Sequence, residues 1–123
     1  MRTIPDNSPM PDNADTSSTR RWARFQVEFR IKARFTKAGK GSTVFGQGSD
    51  LSEGGMSAYL AADFVLGEVL ELEMTLPYAQ RGIFVRASVR NRDGYRYGIE
   101  FLQMAPADKQ LLQRSLKALA LVQ

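Results

Sequence analysis

The run Phe25-Gln26-Val27-Glu28-Phe29-Arg30-Ile31-Lys32-Ala33-Arg34-Phe35 puts an apolar side chain at every odd position and a polar or charged one at every even position. Successive side chains of an extended chain point to opposite faces, so this period of two predicts a strand with one buried and one solvated face. A helix would need a period near 3.6, which the run lacks.

The same period returns further along the chain. A short strand is expected at Thr43-Val44-Phe45 after a loop over Thr36 to Gly41, and it leads through Gly46, Gln47, Gly48 and Ser49 to Asp50-Leu51-Ser52-Glu53-Gly54-Gly55. Met56 to Leu60 reads as the next strand and Phe64 to Gly67 as a connection. Leu70, Leu72, Met74 and Leu76 alternate with Glu71, Glu73 and Thr75 until Pro77, which cannot donate to a ladder and ends the strand. Ile83 to Arg90 and Tyr95 to Phe101 alternate again, and a turn over Asn91 to Gly94 makes them an antiparallel hairpin.

The last segment changes period. Pro106 suits a first helical turn, Asp108 suits the positive end of the helix, and Leu112, Leu116 and Leu119 recur at helical spacing. About six strands and one terminal helix predict an all-β fold, a small antiparallel barrel or sandwich lidded by the helix, rather than an α/β sheet.

With 123 residues, one domain is expected, at residues 20–123. Residues 1–19 are rich in Pro, Asp, Asn, Ser and Thr and have little to bury, so they read as a disordered tail. No basic start followed by an apolar block marks a secretory signal, and no run approaches the roughly eighteen apolar residues of a membrane span. A soluble, cytoplasmic protein is the expectation.

Cysteine and histidine are absent. That excludes disulfides, thiolate and imidazole metal sites, cysteine nucleophiles and a Ser-His-Asp triad. Glu71 and Glu73 share a strand face with no nucleophile or metal set beside them, so an enzyme is not expected and no cofactor is implied. The net charge is +4. Because the tail holds Arg2 against Asp6, Asp12 and Asp15, the remainder carries +6, much of it between Arg20 and Lys40. Such an excess fits an anionic partner or a solvated basic face.

Two clusters could carry binding chemistry. Arg20, Arg21 and Arg24 place three mutually repelling guanidiniums in five residues, either as a solvated basic linker or as fork-shaped donors for an anion such as phosphate. Asp50 and Ser52, followed by Gly54 and Gly55, are equally the residues of a turn, with side chains folded onto nearby amides and a glycine at positive φ. Alternatively, Asp50 accepts from guanine N1 and N2, Ser52 positions phosphate or base, and the glycines let the backbone come close. The two clusters complement the two halves of a nucleotide.

In this order, followed by this run of strands, the clusters resemble the PilZ domain family, receptors for the bacterial second messenger cyclic di-GMP. Arg20-Arg21-Trp22-Ala23-Arg24 matches the family's Arg-x-x-x-Arg, and Asp50-Leu51-Ser52-Glu53-Gly54-Gly55 matches its (Asp/Asn)-x-Ser-x-x-Gly. Tyr95 to Phe101 is similar to its final hairpin strand. The resemblance implies a six-stranded antiparallel β-barrel with a C-terminal α-helix and an arginine segment that folds over the barrel wall. It implies that Arg20 and Arg24 contact phosphates and guanine, that Asp50, Ser52 and Gly55 hold the other guanine edge, with Gly54 beside them, and that Arg21 touches a second ligand molecule or solvent. Trp22 reads as a hydrophobic anchor. The expected consequence of binding is an ordering of the arginine segment that presents a new surface to a downstream protein.

Two other readings compete: a PilZ-like adaptor that binds a protein and no nucleotide, and an oligonucleotide-binding barrel using a basic strand face and exposed tyrosines. The intact motifs favour cyclic di-GMP over either, and over a nucleic-acid polymer.

Overall fold

The alternation that begins at Phe25 is realised as β1 (Phe25–Lys37), and five further strands follow in the computed structural model, which describes residues 23–122. They are β2 (Lys40–Leu51), β3 (Gly55–Leu60), β4 (Val69–Thr75), β5 (Ile83–Asp93) and β6 (Arg96–Gln103), with α1 (Pro106–Val122) last. All pairings are antiparallel. In space the order is β1-β2-β3-β6-β5-β4, and β4 returns to β1 to close a barrel. The tail expected at residues 1–19 lies outside the described residues.

Three boundaries differ from the sequence reading. The loop expected over Thr36 to Gly41 is a two-residue turn, Ala38-Gly39, with φ of 52° and 74°. Positive φ at both central residues matches the twist of the flanking strands, so pairing continues to Lys37 and Lys40. The β5–β6 turn likewise narrows to Gly94-Tyr95, with Gly94 at φ 64° and Asp93 opposite Arg96.

The largest difference is β2, twelve residues long where three were expected. Gly46 and Gly48 weaken a strand by propensity, yet neighbouring strands require them. A Cβ on Gly46 would lie 2.2 Å from the Tyr59 carbonyl oxygen, and one on Gly48 would lie 2.1 Å from the Phe29 ring.

The odd positions of β1 point inward, with Phe29, Ile31 and Ala33 buried. At one end of that strand Phe35 meets Phe64 edge-on at 4.9 Å between ring centroids. Phe64, expected in a plain connection, is a core residue. Its N–H donates to the Tyr97 hydroxyl at 3.1 Å, and that hydroxyl donates to the Ala62 carbonyl at 2.5 Å, so the buried polar tip of Tyr97 is satisfied.

Leu112, Leu116 and Leu119 of α1 join the core, as their spacing predicts. Asp108 does more than suit a helix end. It is 8% exposed and accepts from Arg81 Nη1 at 2.6 Å and the Phe84 N–H at 3.4 Å, tying the helix to the start of β5.

On the outer wall, Lys32 and Arg34 of β1 lie directly opposite Glu73 and Glu71 of β4. Part of the basic strand face is therefore balanced by acid from its neighbour.

Candidate functional site

Asp50 reaches the outer wall because of a bulge. Gln47 faces Tyr59 and Gly48 faces Ala58, but Asp50, not Ser49, faces Ser57, and Leu51 then faces Met56. Ser49 is the extra residue. Without the bulge, with Ser49 as an ordinary strand residue, strict alternation would put Asp50 on the same face as Gly48, whose neighbours are core side chains. With it, Leu51 is buried and Asp50 turns outward.

The bulge also interrupts the ladder where the Ser57 N–H needs an acceptor. Asp50 Oδ1 supplies it at 3.1 Å, which fixes one end of the carboxylate to the barrel. The same oxygen accepts from Arg24 Nη1 at 2.7 Å. The other oxygen, Oδ2, lies 3.6 Å from Arg96 Nη2. Asp50 is thus held between guanidiniums that arrive from the segment before β1 and from β6. Its side chain is 19% exposed, against 37% for Arg24 and 47% for Arg96.

The register places Asp50 in a polar row that crosses the wall. Gln26, Asp50, Ser57, Gly98 and Asn91 are successive partners on β1, β2, β3, β6 and β5. Gly98 keeps the row flat, since a Cβ there would lie 2.4 Å from the Asn91 amide oxygen. One row along, Gln47, Tyr59 and Arg96 are partners, and Tyr59 is half exposed.

The residues after Asp50 form a tight turn between β2 and β3. The Ser52 N–H donates to the Gly55 carbonyl at 2.8 Å, and Ser52 Oγ accepts from the N–H groups of Gly54 at 3.3 Å and Gly55 at 3.2 Å. Ser52 is buried, and the turn reading of this serine is the one its contacts show. The Gly54 carbonyl accepts from the Phe101 N–H at 2.9 Å.

The positive φ expected at Gly54 or Gly55 is at neither, since the glycines with positive φ are Gly39, Gly67 and Gly94. Gly55 answers to a close approach: a Cβ there would lie 2.2 Å from the Ile99 carbonyl oxygen across the β3–β6 ladder. Glu53 accepts from Gln113 Nε2 at 2.9 Å, which joins the turn to α1.

Of the seven residues singled out from the sequence, Arg24, Asp50, Ser52, Gly54 and Gly55 lie together at this corner of the barrel. Arg20 and Arg21 lie outside the described residues, as does Trp22. Sequence reasoning did not single out Arg96 or Ser57. The signal for both is positional: they occupy outward positions of strands that only the register brings beside Asp50.

Among the described residues, no group of three side chains could hold a metal ion, and no helix is long and apolar enough to cross a membrane.

No curated protein matches the chain significantly. Among solved structures, the Bacillus subtilis inhibitor of motility MotI/DgrA aligns with a TM-score of 0.65 at 21% identity, covering 86% of this chain and 53% of its own. The PilZ domain with c-di-GMP of Escherichia coli YcgR aligns at 0.65 and 23% identity, covering 85% of this chain and 94% of its own. Escherichia coli YcgR in complex with c-di-GMP aligns at 0.69 and 23% identity, covering 86% and 48%. This chain spans about half the length of the first and third. These likenesses concern the fold, the six-stranded barrel with its terminal helix. The model of the PilZ domain matches residues 18–118, which takes in both motifs and every strand. The chain belongs to the PilZ domain family.

Proposed function

We propose that the chain is a cytoplasmic receptor for cyclic di-GMP that works by binding rather than catalysis. The observation that carries the reading is the 2.7 Å contact between Arg24 Nη1 and Asp50 Oδ1, which joins motifs 26 residues apart on one patch of wall. Similar structures of YcgR contain c-di-GMP, which supports the same ligand here.

The chemistry is complementary. The ligand offers two phosphodiester charges and two guanines, whose N1 and N2 donors suit a carboxylate and whose O6 and N7 acceptors suit an arginine fork. Arg20 and Arg24 take the phosphates and one guanine face, Arg21 faces a second ligand molecule or solvent, Asp50 takes the guanine N–H edge, and Ser52, Gly54 and Gly55 hold the turn that presents it.

Ligand entry has to loosen the Arg24–Asp50 pair. A pair this exposed contributes roughly 0 to 1 kcal/mol, whereas each charge-assisted hydrogen bond to ligand contributes roughly 1.5 to 3 kcal/mol. The exchange is therefore favourable. Phosphate then neutralises the arginine segment and fixes it, and the fixed segment presents a new surface to a downstream protein.

Calorimetric titration with cyclic di-GMP tests the reading and gives stoichiometry as well. Saturable binding that guanosine monophosphate and long single strands compete for poorly is expected. Absence of heat and of competition would favour an adaptor that binds protein alone. Amide exchange over residues 15–26 with and without ligand tests the fixing step, and equal protection in both states would remove it.

A further inference from the structure

We propose that Arg96 is a positioning residue that orients the Asp50 carboxylate for the guanine 2-amino group, an inference that rests on the cyclic di-GMP reading. A carboxylate recognises guanine through both oxygens, one for N1–H and one for the 2-amino group, so its plane has to be fixed as well as its location. Asp50 Oδ1 is located by the Ser57 N–H at 3.1 Å. One anchored oxygen still leaves the plane free to rotate.

Among the described residues, the cations that restrain the plane are Arg24 on Oδ1 and Arg96 on Oδ2. Arg24 stands before β1, outside any strand, and the ligand's phosphates compete for it. Arg96 begins β6, and its backbone is paired on one side with Tyr59 of β3 and on the other with Asp93 of β5. When phosphate draws Arg24 off, Arg96 is the cation among the described residues that remains paired with Asp50. At 3.6 Å it acts by charge attraction without occupying the oxygen as a hydrogen-bond donor would, so Oδ2 stays available to the ligand.

Ligand choice separates orientation of Asp50 from a plain phosphate contact. Cyclic di-IMP keeps both phosphates, N1–H and O6 but lacks the 2-amino group. Titrations of the full chain with cyclic di-GMP and cyclic di-IMP are compared for the native protein, Arg96→Ala and Arg96→Gln. Arg86→Ala is the control: it removes one charge from β5, where Arg86 faces Glu71 at 3.8 Å.

Both Arg96 variants should lose about 3- to 10-fold in affinity for cyclic di-GMP, as expected for one hydrogen bond that no longer aligns, and far less for cyclic di-IMP. The preference between the two ligands should shrink accordingly, while Arg86→Ala leaves it unchanged. Equal losses for both ligands would make Arg96 a phosphate contact and overturn the inference, as would no loss at all. Failure of the native chain to bind cyclic di-GMP would instead overturn the receptor reading, and this inference with it.

Discussion

Ser52 has its hydroxyl enclosed in the turn, where it accepts from two backbone N–H groups. Ser52→Ala leaves those donors without that acceptor and should lower stability by about 1 to 3 kcal/mol, measured by denaturant unfolding. Asp50 behaves oppositely because its carboxylate faces outward. Asp50→Asn keeps an oxygen for the Ser57 N–H and removes the charge, so unfolding should change little while cyclic di-GMP affinity falls by about 1 to 3 kcal/mol in a titration. Arg24→Ala should show the same split. Both motifs were legible from residue chemistry, but the direct pairing of Arg24 with Asp50 was not, because the sequence reading aimed each cluster at a different part of a ligand. Arg96 was not legible either, because nothing local distinguishes it from Arg90 or Arg92, which bond Glu100 and Asp63 instead.

At the scale of the element, the alternating strands were legible because burial of one face imposes a period of two, and α1 was legible from its leucines. β2 was not. Its glycines are demanded by Phe29 on one neighbouring strand and by Tyr59 on the other, and such demands leave no local trace. The extra residue at Ser49 is likewise a relation between strands, invisible until the register is known. Gly48→Ala should drive a methyl group into the Phe29 ring and cost about 1 to 3 kcal/mol of stability, and adding Phe29→Leu should recover part of that loss in a double-mutant cycle. Asp108 was placed correctly in the first helical turn, but its partners Arg81 and the Phe84 N–H are tertiary. Asp108→Ala should therefore loosen the helix from β5, lowering the unfolding midpoint by more than the loss of an exposed helix-end charge would.

For the molecule as a whole, the barrel is a firm platform, and a ligand taken up on its wall as proposed should stabilise the fold by mass action. At a free ligand concentration of a hundred times Kd the gain is about 2.7 kcal/mol, which for a domain near a hundred residues raises the melting temperature by roughly 10 to 20 °C. Thermal scans across a ligand series check this, and Arg24→Ala should need a proportionately higher concentration for the same shift.

The closure of β4 onto β1 limits how any second polypeptide could engage this protein. Along the closed girth the described strands have neighbours on both sides, but the β1–β2 hairpin outruns it: Lys40 to Phe45 pair with β1 alone, leaving a selvedge on which an incoming chain could knit a further strand. Along the closed girth, recognition has to be written in side chains. Away from that hairpin, loss of docking should thus follow from recolouring the surface one residue at a time, and a competitor peptide of purely extended backbone should act only at Lys40 to Phe45.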